Sequence, residues 1–248
     1  MPSKHPIRVG VGGWTYEPWD ETFYPADLPK KKQLEYASSK LTAIEINGTF
    51  YRTQTAATFK KWAAETPDGF VFTVKAHRVS TSRKTPDEMK DSIDWFMNSG
   101  VLELKDKLGA VNWQFHPSKK FDPAYFGAFL ERLPREVGKQ RVRHAIEVRH
   151  ASFNTPAWDD LLRKHGAACV FADDEDWPMP DKETADFAYV RLQRSRAEEK
   201  DGYPKKELDA WAKTFKGWAD KREVFAFIIS GAKERNPAAA QALIARLG

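Results

Sequence analysis

The sequence predicts a single α/β domain over residues 1–248, a TIM (β/α)8-type barrel, on three observations. Eight short apolar runs are rich in the β-branched and aromatic residues of strands. Amphipathic segments with i, i+3, i+4 spacing follow every run except the sixth. The 248 residues divide into units of about 31, room for a strand, a crossover helix and two loops.

Strands are predicted at Ile7–Gly12, Ala43–Asn47, Phe70–Lys75, Ala110–Gln114, His144–Arg149, Ala168–Ala172, Phe187–Leu192 and Val224–Ile229. Helices are predicted at Lys30–Ser38, Ala56–Glu65, Ile93–Leu104, Pro123–Leu133, Pro156–His165, Lys206–Asp220 and Pro237–Leu247. Thr55, Asp122, Thr155 and Asn236 stand where helix caps belong, and Pro123, Pro156 and Pro237 each follow a cap, as first-turn prolines do. An open doubly wound sheet is the competing architecture. It usually carries a glycine-rich phosphate fingerprint after its first strand, whereas Gly10, Gly12 and Gly13 do not continue into G-x-G-x-x-G.

Composition narrows the class. Hydrophobic residues make up 41% of the chain and charged residues 30%, with no apolar run near the ~18 residues of a membrane helix. No apolar leader opens the sequence, so a cytoplasmic protein with no membrane partner is expected. Cys169 is the sole cysteine, which excludes an internal disulfide and a thiolate metal cluster. The net charge of +5 favours anionic partners, though on charge alone a solubilising surface is the better reading.

Strand alternation locates the chemistry. In T-A-I-E-I-N-G-T-F-Y-R, residues 42–52, Ile44 and Ile46 suit the helix layer, so Ala43, Glu45 and Asn47 point to the barrel axis. The same split turns Arg8, Gly10, Gly12 and Trp14 inward from the first strand, Thr73 and Lys75 from the third, and Asn112 and Gln114 from the fourth. Glu147 and Arg149 follow from the fifth, and Tyr189 and Arg191 from the seventh. Glu45, Asn47, Lys75, Gln114, Glu147, Arg149 and Arg191 then share the C-terminal mouth, joined by Asp173 just past the sixth strand. Active sites of such barrels are built there. Isolated buried charges would cost several kcal/mol each, on the order of a lost core residue, so alternating acids and bases predict pairing around a wet pocket. A network that only fixes the barrel's register is the structural alternative.

Four stretches carry a family resemblance: GVGGWTYEPWDETFYP, EINGTFYR, WAAETPDGFVFTVKAHR and AIEVRHASF. They resemble the YecE-like family of TIM-barrel proteins, a domain family of unknown function, over a region from about Val9 to Tyr189. The resemblance implies a TIM barrel and supplies no established reaction. Its pattern falls on Gly13, Trp14, Trp19, Tyr24, Pro25, Glu45, Asn47, Phe50 and Tyr51. It continues on Lys75, Gln114, Glu147, Arg149, His150, Tyr189 and Arg191. This chain departs from it at Phe115-His116-Pro117, at Gln193-Arg194 and at Ile229-Ser230-Gly231, so the last quarter of the mouth is altered.

The expected ligand is an anionic small molecule, phosphorylated or sugar-like, handled by acid/base chemistry of a hydrolase or isomerase. Glu45 and Glu147 are the expected proton-transfer pair. Lys75, Arg149 and Arg191 are expected to hold ligand charge. Trp14, Asn47, Tyr51, Gln114, His150 and Asp173 complete the expected binding set, and loop aromatics offer stacking faces, with plain loop packing as the competing role. No organic cofactor motif and no H-x-H or H-E-x-x-H spacing occurs. A metal alternative would draw on Glu45, Glu147, Asp173 and His150, whose hard donors imply Mg²⁺ or Mn²⁺. A nucleic-acid alternative rests on Arg78, Arg83 and Lys84 after the third strand and Arg194, Arg196 and Lys200 after the seventh, although Glu198, Glu199 and Asp201 interrupt the latter. A non-catalytic binding scaffold is the last alternative.

Overall fold

In the computed structural model, which describes residues 3–174, 176–177 and 182–248, eight parallel strands close into a barrel. They are β1 (Ile7–Gly12), β2 (Ala43–Ile46), β3 (Val71–Lys75), β4 (Leu108–Gln114), β5 (His144–Glu147), β6 (Ala168–Ala172), β7 (Phe187–Leu192) and β8 (Glu223–Ile228). Each pairs with its neighbours in sequence, and β1 closes the ring on β8 with Val11 beside Ile228. The helices are α1 (Trp19–Thr22), α2 (Gln33–Lys40), α3 (Ala56–Ala64), α4 (Pro86–Met97), α5 (Pro123–Glu131), α6 (Pro156–His165), α7 (Lys205–Ala219) and α8 (Asn236–Leu247). Among the described residues no helix lies between β6 and β7, as the sequence predicts, and no helix is long and apolar enough to cross a membrane.

The differences from the predicted elements have local causes. The helix expected at 93–104 runs from Pro86 to Met97. Thr85 accepts the Glu88 N–H while the Glu88 carboxylate accepts the Thr85 N–H, a capping box that starts the helix about two turns before the expected start at Ile93. Beyond Met97 the chain turns at Gly100, φ +111°, where a Cβ would lie 2.5 Å from the Ala56 Cα. β2 and β5 stop at Ile46 and Glu147, short of the predicted ends, because 3₁₀ turns begin at Gly48 and Ala151. Thr55 and Asp122 cap α3 and α5 as expected. Thr155 makes no side-chain cap bond, and Asn236 lies inside α8, its Oδ1 accepting from Ser195 Oγ at 2.7 Å.

The outward faces of the strands pack on the helices through large side chains such as Trp113, Phe126, Phe129, Phe153 and Trp158. Inside the barrel, Phe187, Tyr189, Phe225 and Phe227 form an aromatic layer. Small residues fill the remaining inward places, Ala43, Ala110, Ala145 and Ala168, so the rings fit the narrow axis. The N-terminal end of the barrel is closed by Glu223, which accepts from Arg143 at 2.6 Å and Arg8 at 3.4 Å. The Arg143 guanidinium lies over the Phe225 ring at 4.8 Å.

His144 faces the helix layer and carries a pH dependence of its own. Trp113 Nε1–H donates to its Nδ1 at 3.0 Å, so Nε2–H donates to the Pro134 carbonyl at 2.8 Å. Burial lowers the imidazole from 6.5 to about 4, the Pro134 bond pulling the other way. The unfolded chain therefore takes up a proton near 6.5 that the folded chain refuses until about 4. Stability is full above 6.5 and is expected to fall by about 3 kcal/mol on acidification through that window. Urea unfolding midpoints measured across it check this, and His144→Gln should flatten the slope.

Candidate functional site at the barrel mouth

Three strands that are distant in sequence bring together the centre of the mouth. Arg191, at the end of β7, lies between Glu45 of β2 and Glu147 of β5. Its Nη1 donates to both Glu147 oxygens at 2.9 Å and its Nη2 to Glu45 Oε1 at 3.1 Å. Tyr189 O–H donates to Glu45 Oε2 at 2.5 Å and is also hydrogen-bonded to Thr73 at 2.8 Å. Asn112 Nδ2 bridges the two carboxylates at 3.4 and 3.2 Å. Gln114 Nε2 and the Arg149 guanidinium reach Glu147 Oε1 at 2.6 Å each. Glu45, Glu147 and Arg191 are all nearly or fully buried.

These contacts set the protonation states. Burial alone would raise the Glu147 carboxyl, but Arg191, Arg149 and Lys75 hold it down at about 2. Burial would release the Arg191 proton, but the two carboxylates push its value further up, so it stays charged. Tyr189 is raised well above the usual phenol range by burial and by Glu45, and stays neutral. Glu147, held down in this way, and Glu45 both anchor the Arg191 guanidinium.

Lys75 differs from its neighbours. It is 9% exposed, yet among the described residues its ammonium makes no hydrogen bond or ion pair. Its Nζ lies over the face of Phe50, 4.3 Å from the ring centroid. Burial first, then Arg191, lowers it to about 8, with Glu147 and Glu45 opposing. Four buried atoms around it lack hydrogen-bond partners among the described residues: Arg191 Nε, Gln193 Nε2, Asn47 Oδ1 and Asn112 Oδ1. Gly12 makes room for the Asn47 amide, since a Cβ there would sit 2.5 Å from Asn47 Nδ2.

A cavity of about 630 Å³ opens above this floor. Asn47, Tyr51, Lys75, Gln114, Arg149 and Arg191 line it, all residues that strand alternation or the family resemblance had marked. Glu45 and Glu147 lie beneath, behind Arg191. Three expected members lie elsewhere. Trp14 turns out to the helix layer, edge-on to Trp62 at 4.9 Å, because Gly13 at φ +73° breaks the alternation. His150 accepts the Ser152 N–H through Nδ1 and caps the 3₁₀ turn after β5. Asp173 accepts the Gln193 N–H and a long contact from Tyr203 O–H, tying the β6 end to the β7 end. Its carboxyl is raised to about 6 by burial.

Trp19, marked by the family resemblance, also reaches the cavity, and its Nε1–H donates to the Lys233 carbonyl at 2.8 Å. Sequence reasoning missed other lining residues, Tyr16 among them. Trp177 lies under the Arg149 guanidinium at 4.8 Å. Gln193 and Ser230, which stand in the sequence where the chain departs from the family pattern, line the wall where the last two loops are clasped together: Ser195 Oγ lies 2.8 Å from the Ser230 carbonyl oxygen, and Ala232 N–H donates to the Ser195 carbonyl. A tryptophan in an irregular loop has no periodic signal, so Trp177 was not legible.

The residues proposed for a metal do not converge. Glu45 and Glu147 face Arg191, Asp173 faces the Gln193 backbone and His150 faces Ser152. Among the described residues no group of three His, Cys, Asp or Glu side chains is placed to share an ion.

A family model described as "Protein of unknown function DUF72" matches residues 8–248. The chain is 29% identical over 165 residues to the UPF0759 protein YunF of Bacillus subtilis (strain 168), a match covering 63% of this chain and 55% of that protein. The chain thus spans little more than half the length of that relative. Among solved structures, a DUF72 family protein from Thermotoga maritima MSB8 is similar at 25% identity with a TM-score of 0.76, covering 97% of both chains. One from Enterococcus faecalis V583 gives 17% identity and a TM-score of 0.74 over 98% of this chain and 99% of that one.

Proposed function

The chain belongs to the DUF72 family of proteins of unknown function, and we propose that its barrel mouth binds a small anionic molecule, phosphorylated or sugar-like, and acts on it by proton transfer, as a hydrolase or isomerase does. The observation that carries this reading is Lys75. Lys75 is nearly buried at the cavity wall, and among the described residues its ammonium makes no ion pair or hydrogen bond, so it is free to take a ligand anion. Three cations, Lys75, Arg149 and Arg191, stand against two carboxylates, Glu45 and Glu147, leaving one positive charge for the ligand. Arg191 Nε and Gln193 Nε2 add donors, and Asn47 Oδ1 adds an acceptor suited to a hydroxyl.

Lys75 also replaces the two glutamates as the proton carrier of this reading. At about 8, both its ammonium and its amine are populated near neutral pH, which suits a group that takes and returns one proton. The two guanidiniums, held by carboxylates that stay in place, stabilise charge developing on the ligand. No step is routed through Mg²⁺ or Mn²⁺, because the donors expected for them are engaged separately. A cytoplasmic setting is the natural one for such chemistry and belongs to the same proposal.

Calorimetric titration with inorganic phosphate and a panel of sugar phosphates tests this. Wild type should bind at least one of them, and Lys75→Met should weaken it by about 10- to 100-fold, the worth of one charge-assisted hydrogen bond. Equal binding by Lys75→Met, or no binding by wild type, would overturn the reading.

A further inference from the structure

A second cavity, of about 930 Å³, lies between the loops after β3 and β4 and shares Tyr51, Gln114 and Arg149 with the mouth. Its walls carry five more cations: Arg78, Arg83 and Lys84 from the first loop, Lys119 and Lys120 from the second. The one carboxylate among the lining residues, Asp122, accepts the Ala124 and Tyr125 N–H groups at the start of α5. None of the five cations forms an ion pair among the described residues, and the Arg83 Nε is buried without a partner. Arg196 of the loop after β7, by contrast, is paired with Glu207 at 2.9 Å. Five cations without an ion pair among the described residues thus line this one groove beside β3 and β4.

Aromatic faces alternate with these cations. Tyr51 is 71% exposed and stands where the two cavities meet. Its backbone is fixed by His77, whose Nε2 is 3.1 Å from the Tyr51 carbonyl, and its ring is braced edge-on by Phe50. The Arg78 guanidinium lies 5.9 Å from the Tyr51 ring centroid. Lys119 Nζ lies 3.1 Å from that of Tyr125. Cations at intervals suit a chain of phosphates, and a rigid exposed ring between them suits an unstacked base.

We propose that this groove binds single-stranded nucleic acid and leads one nucleotide unit of the strand towards the mouth. A duplex cannot offer splayed bases to Tyr51, and an acidic peptide or sulfated polymer would use the charges and leave the ring idle. Insofar as the mouth ligand becomes one unit of that strand, the inference rests on the mouth reading. The groove residues Arg78, Tyr51, Lys119 and Lys120 nevertheless act without Lys75.

Fluorescence anisotropy with a labelled, mixed-sequence single strand of roughly 12 nucleotides, a length within the usual site sizes, tests it. Affinity should fall about 50-fold between ~50 and ~200 mM salt if about four phosphates are contacted at a slope of ~0.7 each. Tyr51→Ala should weaken binding by about 10- to 100-fold, and the combined Arg78→Gln, Lys119→Gln, Lys120→Gln variant should weaken it and flatten the salt slope. The combined Arg78→Gln, Lys119→Gln, Lys120→Gln variant should keep the wild-type response of the mouth to phosphate and sugar phosphates in the calorimetric titration, because none of the three lines the mouth, which separates failure of the groove from failure of the mouth. Absence of single-strand binding at low salt overturns the proposal. So does equal affinity for duplex or for heparin, or groove variants that bind like wild type.

Discussion

Arg191→Met is expected to lower folding stability by about 3–5 kcal/mol at neutral pH, because it leaves Glu45 and Glu147 buried without their shared cation. The pH dependence identifies the cause. In the wild type the folded Glu147 titrates at about 2 rather than 4.5, so its contribution is full above 4.5 and is lost as pH falls towards 2. Without Arg191 the Glu147 carboxyl loses the strongest of the attractions that hold it down, while Arg149 and Lys75 remain, so the variant has less of this contribution to lose on acidification. Urea denaturation of both proteins from neutral pH to about 3 should show the gap narrowing below 4.5. A constant gap would mean that lost packing, not the unpaired carboxylates, sets the cost. The His144 slope is common to both proteins and cancels in the difference.

Gly10→Ala is expected to cost about 4 kcal/mol or more, enough to leave little folded protein. A Cβ at this position would lie 1.7 Å from the Ala43 carbonyl oxygen, an atom of the neighbouring strand's backbone. No rotamer can relieve that approach. Either β1 moves off β2 or the ring opens, and both disturb the register that sets Gly12 beside Glu45. Gly127→Ala in α5 is the matched control. Nothing lies within 4 Å of its added methyl, so a gain of about 0.5–1 kcal/mol is expected from helix propensity. Thermal unfolding of the two variants beside wild type reads both effects, and a Gly10→Ala protein that melts near wild type would show that the strands can part cheaply.

The strand order and the inward side chains were legible because a parallel barrel repeats one local rule eight times. Alternation located Glu45, Lys75, Gln114, Glu147 and Arg191 from their neighbours alone. It failed where the backbone left the extended conformation. Gly13 reverses the sense of the next side chain and sends Trp14 outward, and β5 ends before His150 is reached. The helix at Pro86 was misplaced because its apolar stripe outweighed a capping signal in Thr85 and Glu88 that a strictly local reading would have favoured. What no periodicity could supply is the pairing itself. Arg191 meets Glu45 across 146 positions of sequence, and whether Lys75 finds a partner depends on distances across the axis. The division between anchored carboxylates and an unpaired ammonium therefore emerged only in three dimensions.

The aromatic layer of Phe187, Tyr189, Phe225 and Phe227 works as an insulator laid across the barrel axis. Above it stands the circuit of Glu45, Arg191 and Glu147; below it stands that of Arg8, Arg143 and Glu223. The rings lie between the two circuits, and among the described residues no ion pair joins one to the other. Changes to the chemistry of the mouth can then accumulate without renegotiating the charges that close the other end, which gives one fold latitude to trade its ligand while its foundation stays put.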